Sequence, residues 1–389
     1  MKQKLLFILA GISLFVFVTG LSYLGFSRSN LSPANPSQVT TDKKSDNKKS
    51  KIDPSLPRIE ACPLNGAMFT KTEKDVWSTR RPLAAMIENH LDSRPLSGLS
   101  SADIVYEAVA EGGITRFMGV FYCGAASENV TLAPVRSARI YFTKLVSEYD
   151  ALYNHVGGAG NCDDPTVDVR AKALCFIRTN KIKDLDQFGL DFKACHRVTN
   201  RLEKEVAYEH TMACYTDELY RVAIKRGWTN VDAKGVSWDK NFTAWKFKDD
   251  DSNHGSTSSI KFAFWNNKPD YDVAWQYDSA GNVYTRSTGV QKDIDLNTGE
   301  QTSAKNIVVQ FVKQTGPVDE HFHMLYEVTG IGKGLLFQDG KAFPITWSKA
   351  TPAIRTKFVL ADSKKEVQFN RGPIWIELVP TGNPIEYSQ

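Results

Sequence analysis

Glu107, Glu111 and Arg116 lie on two runs of apolar and β-branched residues separated by Gly112-Gly113. Carboxylates beside an arginine can do general acid–base work, and they can equally form a buried ion cluster that pins a strand register. The glycine pair predicts a two-residue hairpin loop between Ala102–Ala110 and Ile114–Cys123. In that register Glu111 faces Ile114, Val109 faces Arg116 and Glu107 faces Met118. Side chains alternate across a strand, so Glu107, Glu111 and Arg116 are expected on one face, among Val105, Ile114, Met118 and Val120. The two acids then stand about 13 Å apart at the backbone, wide for a retaining hydrolase unless their side chains converge.

Further polar residues cluster around this hairpin in sequence: Asn89, Arg94, Arg136, Arg139, His155 and, more distantly, His210. Arg136 and Arg139, three apart in a helix expected to open at Pro134, would oppose the helix dipole, which points either to an anion or to pairing with Glu107 or Glu111. The candidate site is therefore Glu107 and Glu111 as acid/base groups, with Asn89, Arg94, Arg116, Arg136, Arg139, His155 and His210 as ligand-binding groups. Other chemistries have weaker signals. No GxSxG is present, and Cys195-His196 are adjacent, which turns their side chains apart. His321-x-His323 offers two metal ligands with no third at fixed spacing, and HExxH is absent. Gly157-Gly158-x-Gly160 lacks the spacing of a nucleotide loop. No metal and no cofactor is assigned.

The elements that must position these groups read as mixed α/β. Leu83–Ile87 is a buried strand leading to Asn89. A helix follows Pro134 and ends near Tyr149, Ala151–His155 is a strand, and a helix runs through Arg226. From Gly227 onward short strands recur with turn punctuation, including Asp339-Gly340 as a hairpin signal. The tryptophans Trp238, Trp245, Trp265, Trp275, Trp347 and Trp375 in that half read as core before they read as a sugar platform.

The chain of 389 residues, 42% hydrophobic and 24% charged, is long enough for two globular domains. Its net charge of +4 is uneven: residues 1–57 hold eight Lys/Arg against three Asp, leaving the remainder near −1. A near-neutral globular part argues against nucleic acid as a partner. Leu5–Phe26 is 22 residues without a charge, preceded by Lys2 and Lys4, which reads as an uncleaved single-pass anchor with the body exported. Residues 29–57 read as a basic linker, 58–227 as an α/β domain and 228–389 as a β-rich domain. Six cysteines, all beyond the anchor, fit disulfides in an oxidising compartment. Closing sequence neighbours would pair Cys162–Cys175 and Cys195–Cys214, leaving Cys62–Cys123.

The segments RPLAAMIENH, RPLSGLSSADIVYEAVAEGGITRFM, APVRSARIYFTKLVSEYDALYNHVGG, YEHTMACYT, DIDLNTGEQTSAKNIVVQF, GKGLLFQDGKAFPITWSK and NRGPIWIELVP resemble the YerB-like lipoprotein family of bacterial envelopes, over residues 58–382 or so. The resemblance implies a two-part α/β architecture with layered sheets and a helical layer, surface anchoring, and no assigned activity. Three features depart from the family pattern. No cysteine follows the apolar segment to take a lipid, six cysteines lie in the exported part, and Glu209 stands before His210 where the family usually has proline.

Taken together the sequence points to an envelope-anchored binding or accessory protein. Its polar cleft would take a peptidoglycan fragment or another anionic envelope ligand. A cell-wall hydrolase using the paired carboxylates is the alternative, and a module whose Trp-rich half docks another envelope protein is a third.

Overall fold

The computed structural model describes residue 53 and residues 55–388. The Leu5–Phe26 run and residues 29–52 of the linker lie outside the described residues, so the anchor is not placed. Among the described residues no helix is long and apolar enough to cross a membrane.

A ten-stranded mixed sheet organises the chain. Its order is Lys357–Leu360, Lys341–Lys349, Gly330–Gln338, Asn306–Val312, Ile374–Pro380, Ile104–Glu111, Ile114–Phe121, Leu83–Glu88, Leu152–His155 and Lys183–Asp186. The central strands are buried along almost their whole length, as expected where both faces of a sheet are covered. Ile374–Pro380 comes from the end of the chain, yet it lies parallel between Ile104–Glu111 and Asn306–Val312. The sheet therefore runs across the 227/228 position, and one apolar core includes residues from both sides of it.

Both tight hairpins of this sheet have the turn that their residues predict. Gly112 and Gly113 take φ of 56° and 82°, and Asp339 and Gly340 take 54° and 65°. Positive φ at both central positions matches the right-handed twist of the flanking strands.

A second, six-stranded sheet covers one face. Its path is Gln291–Lys292, Val283–Thr288, Val273–Asp278, Ser259–Phe262 and Ile385–Tyr387, with Ser303–Ala304 paired to Val283–Thr288. The other face carries the helix Ile140–Val146, whose Tyr141 hydroxyl donates to the Val109 carbonyl at 2.6 Å. The expected helix from Pro134 starts six residues late. Val135 and Arg136 instead spend their N–H groups on the Met212 and Met86 carbonyls, which holds that segment extended. Arg136 therefore precedes the helix and Arg139 is its N-cap. The helix Thr216–Lys225 agrees with the sequence reading, and the other α-helices among the described residues are Lys71–Trp77 and Ala173–Thr179. The tryptophans Trp238, Trp245, Trp275, Trp347 and Trp375 are buried, and Trp265 is half-buried.

Three disulfides close the pairs Cys62–Cys123, Cys162–Cys175 and Cys195–Cys214, leaving no free cysteine. A buried charge cluster ties the two halves together on the helical face. Glu148 accepts from Lys349 Nζ at 2.6 Å, from the Arg355 guanidinium, from the Thr356 N–H and from the Tyr106 hydroxyl. Arg355 lies 3.5 Å from the Trp245 ring centre, which adds a cation–π contact to its ion pair.

Burial pushes the Glu148 carboxyl up, but Lys349 and Arg355 outweigh it and hold it at about 2, below its ordinary 4.5. A depressed carboxyl contributes stability that is present above pH of about 4.5 and is lost as pH falls toward 2. Glu148→Ala leaves two buried cations without their carboxylate and should cost about 3–5 kcal/mol in urea unfolding at neutral pH. It should also flatten the acid limb of the stability curve. A loss under about 1 kcal/mol would show that the cluster is solvated.

Candidate functional site

The hairpin register differs from the expected one by a single residue. Glu111 faces Ile114 as expected, but a bulge between Val109 and Glu111 sets Val109 opposite Thr115, Ala108 opposite Arg116 and Glu107 opposite Phe117. One extra residue in one strand reverses every side chain beyond it. Glu107 therefore shares a face with Thr115 and Phe117, while Glu111 and Arg116 point to the other. The two carboxylates do not share a surface.

On the face toward the second sheet, Glu107 is buried in a charge cluster. Arg286, from the strand Val283–Thr288, pairs with Glu107 and Asp293, and its Nε lies 3.9 Å from Glu377. Glu377 stands directly beside Glu107 on the neighbouring parallel strand and accepts from the Trp275 indole at 3.0 Å. Glu107, Arg286 and Glu377 have no solvent exposure. Burial, with the Glu107 charge adding to it, pushes the Glu377 carboxyl well above the carboxylate range. Two carboxylates against one fully buried guanidinium cannot both ionise cheaply, so Glu377 is the neutral member. Phe117, Trp275 and Trp375 surround the Arg286 guanidinium at 5.1 to 5.7 Å from their ring centres.

Asn89 extends this cluster toward solvent. Its amide nitrogen donates to Thr115 Oγ1 at 2.7 Å and to Glu107 at 3.4 Å, and its oxygen accepts from Arg94 Nε at 3.0 Å. Arg94 spends its other donors on the Asn89 and Asp270 carbonyls and packs over the Tyr271 ring. Asn89, Arg94 and Asp293 border a cleft of about 460 Å³ between the sheets. Phe117, Trp375, Leu96, Leu99 and Ile294 supply its apolar wall, and Gln291 and Lys292 its exposed rim. Phe117 and Trp375 thus present one side to Arg286 and another to the cleft.

The remaining candidates lie on the opposite face in separate pairs. Glu111 accepts from Arg116 at 2.9 Å and from Arg139 at 2.7 Å. Burial pushes its carboxyl up, and the two guanidiniums overcome this to hold it at about 2. An acid held there does not protonate a leaving group near neutral pH. Arg136 pairs with Glu88 at 3.1 Å, and Glu88 also accepts from His210 Nδ1 at 2.7 Å. His155 is fully buried, its Nε2 2.9 Å from Asp184 and its Nδ1 2.8 Å from the Gly157 carbonyl. Of the nine residues singled out from sequence, Asn89, Arg94 and Glu107 meet beside the cleft, while Glu111, Arg116 and Arg139 meet on the opposite face and Arg136 and His210 share Glu88 there.

Arg286, Glu377, Asp293 and Trp375 complete that group and were missed. Arg286 alternates with half-buried neighbours in an ordinary strand pattern, and Glu377 sits in an otherwise apolar run. A lone acid in IWIELVP is a detectable signal of a buried carboxyl, but nothing local names its partner.

The cluster's asymmetry is measurable. Glu107→Gln removes the fully buried one of the two carboxylates paired with Arg286 and should cost about 3–5 kcal/mol, whereas Glu377→Gln replaces a neutral acid and should cost under about 1 kcal/mol. A raised carboxyl contributes stability that is complete below pH of about 4.5 and is lost as pH rises through its folded value. Wild-type protein should therefore weaken on the alkaline side relative to Glu377→Gln. Equal costs for the two variants in denaturant unfolding would contradict this assignment.

Comparison with known proteins agrees with this architecture. A family model described as the N-terminal domain of a protein of unknown function (DUF3048) matches residues 69–229, and its C-terminal counterpart matches residues 260–376. The chain is 28% identical over 333 residues to "Putative lipoprotein YerB" of Bacillus subtilis (strain 168), covering 84% of this chain and 88% of that one. The crystal structure of the YerB protein from Bacillus subtilis superimposes with a TM-score of 0.68 at 27% identity, covering 85% of this chain and all of the other. With both of its domains matched in order over most of its length, the chain belongs to the DUF3048 family.

Proposed function

We propose that this protein is an extracytoplasmic, membrane-associated binding module that seats an amphiphilic anion of the cell envelope in the cleft between its two sheets. The observation that carries the proposal is the cleft itself. Its volume of about 460 Å³ falls in the range of small-ligand sites, and its wall is mostly apolar with a few fixed polar groups. Phe117 and Trp375 are held from behind by the paired Arg286, so the wall is formed before any ligand arrives. At the rim Lys292 is exposed and makes no ion pair among the described residues, which suits one acidic group on the ligand.

The chemistry favours an apolar body over a polyanion. Arg116, Arg136 and Arg139 are ion-paired with Glu111 and Glu88, and each Arg94 nitrogen donates to a carbonyl oxygen. A hydrolase would need two carboxyls on one open surface, and Glu107 and Glu111 point to opposite faces. Export and membrane association rest on the charge-free Leu5–Phe26 run, the pairing of all six cysteines and the lipoprotein name of the Bacillus relative.

Anilinonaphthalene sulfonate, an aromatic body with one sulfonate, is a suitable probe. The wild-type protein should bind it with blue-shifted fluorescence. Gln291→Trp at the exposed rim and Leu99→Trp in the wall should each weaken binding at least about tenfold, and Lys292→Glu by several-fold. Lys313→Glu, outside the cleft, should leave it unchanged. Undiminished binding to a folded Gln291→Trp variant would overturn the cleft as the ligand site.

A further inference from the structure

On the face of the main sheet away from the cleft, three ligand-bearing residues meet. His90 and His210 lie 120 residues apart in sequence, yet their rings stack with centres 4.6 Å apart and planes 20° from parallel. Asp92 brings a carboxylate oxygen to 3.7 Å from His90 Nδ1. One ligand atom from each of His90, Asp92 and His210 lies within 4.8 Å of the others. We propose that His90, Asp92 and His210 form a binding site for a divalent transition cation, with zinc the best fit.

Four observations support the assignment. First, the donor set of two imidazoles and one carboxylate matches three-ligand zinc sites that keep a position open, and nitrogen donors disfavour calcium and magnesium. Second, Glu88 pairs with His210 Nδ1 at 2.7 Å, which would leave Nε2 as the ring nitrogen to face a metal. A carboxylate behind a ligating histidine is the usual second partner of such sites. Third, Glu88 is itself held by Arg136 at 3.1 Å, and the short helical turn Tyr208–Thr211 leads directly into the strand Met212–Tyr215, whose Cys214 is tied to Cys195. The His210 ligand is therefore anchored. Fourth, the site is reachable, because His90 is half-buried and Asp92 exposed while His210 is buried.

The local chain explains how the residues meet. Glu88 ends its strand facing Arg136 and His210, Asn89 turns to Thr115 and the cleft, and His90 turns back to the Glu88 side. The site and the cleft therefore use alternate residues of one strand end. At present His90 Nδ1 accepts the Asp92 N–H at 3.2 Å, a capping bond that a metal on that nitrogen would replace.

Zinc binding by the full exported part, stripped with chelator and titrated calorimetrically with zinc chloride alone, tests the proposal. One zinc per chain should bind. His90→Ala should weaken it at least tenfold without changing the apo melting temperature, and Asp92→Asn should weaken it several-fold. Glu88→Gln acts through His210 and should weaken it about tenfold while His90→Ala in the same background adds less than its single effect. Cobalt loaded in place of zinc should give visible bands that change in His90→Ala. His321→Ala serves as the control, since His321 and His323 are the other close histidine pair. No stoichiometric binding, or binding lost in His321→Ala and retained in His90→Ala, would overturn the assignment.

Discussion

One guanidinium joins the two sheets. Arg286 leaves the six-stranded sheet, enters a space with no solvent and meets Glu107 on the central strand of the ten-stranded one. A buried charge is tolerated only with a close counter-charge and satisfied donors. Here Asp293 and Glu107 provide the charge, and three aromatic rings provide the surroundings. Such an arrangement admits one mutual placement of the sheets, because a shift of an ångström or two would leave the cation unpaired. The neutral Glu377 stands 3.9 Å from Arg286 Nε without adding a second charge.

The cleft follows from that placement. Phe117 and Trp375, each only 2% exposed, pack against Arg286 and line the cleft. Asn89 and Arg94 close one side through a chain of hydrogen bonds that starts at Glu107. The polar residues around the cleft are therefore bound to one another before they could meet a ligand, which is how a preformed site limits the entropy it must lose on binding. On the far side of the sheet the same logic holds for Glu111 with its two arginines. Glu111 there joins the strand residue Arg116 to Arg139 at the helix N-cap.

Much of this fold was legible locally. Gly112-Gly113 and Asp339-Gly340 declare their turns because few other residues accept positive φ at both positions. The strand Leu83–Glu88, the helix ending at Lys225 and the disulfides Cys162–Cys175 and Cys195–Cys214 also follow from short stretches, with Cys62–Cys123 left as the remaining pair. The site was less legible. The bulge at Val109/Glu111 has no mark in the sequence, since any residue pair can host it, and it alone reversed Glu107 against Glu111. Pro134 reads as a helix start, yet Val135 and Arg136 found carbonyl partners on other elements and stayed extended. Arg286, Glu377 and the meeting of His90 with His210 depend on chain segments more than a hundred residues apart, and no periodicity encodes which partner a lone charge will find.

Hydrogen exchange on Arg286→Met protein addresses the join most directly. If the guanidinium holds the sheets together, amides of Val273–Asp278 and Val283–Thr288 should lose protection as a unit while Asn306–Val312 stays protected, and the cleft probe should no longer bind. Unchanged protection in both sheets, with the probe still bound, would contradict the account.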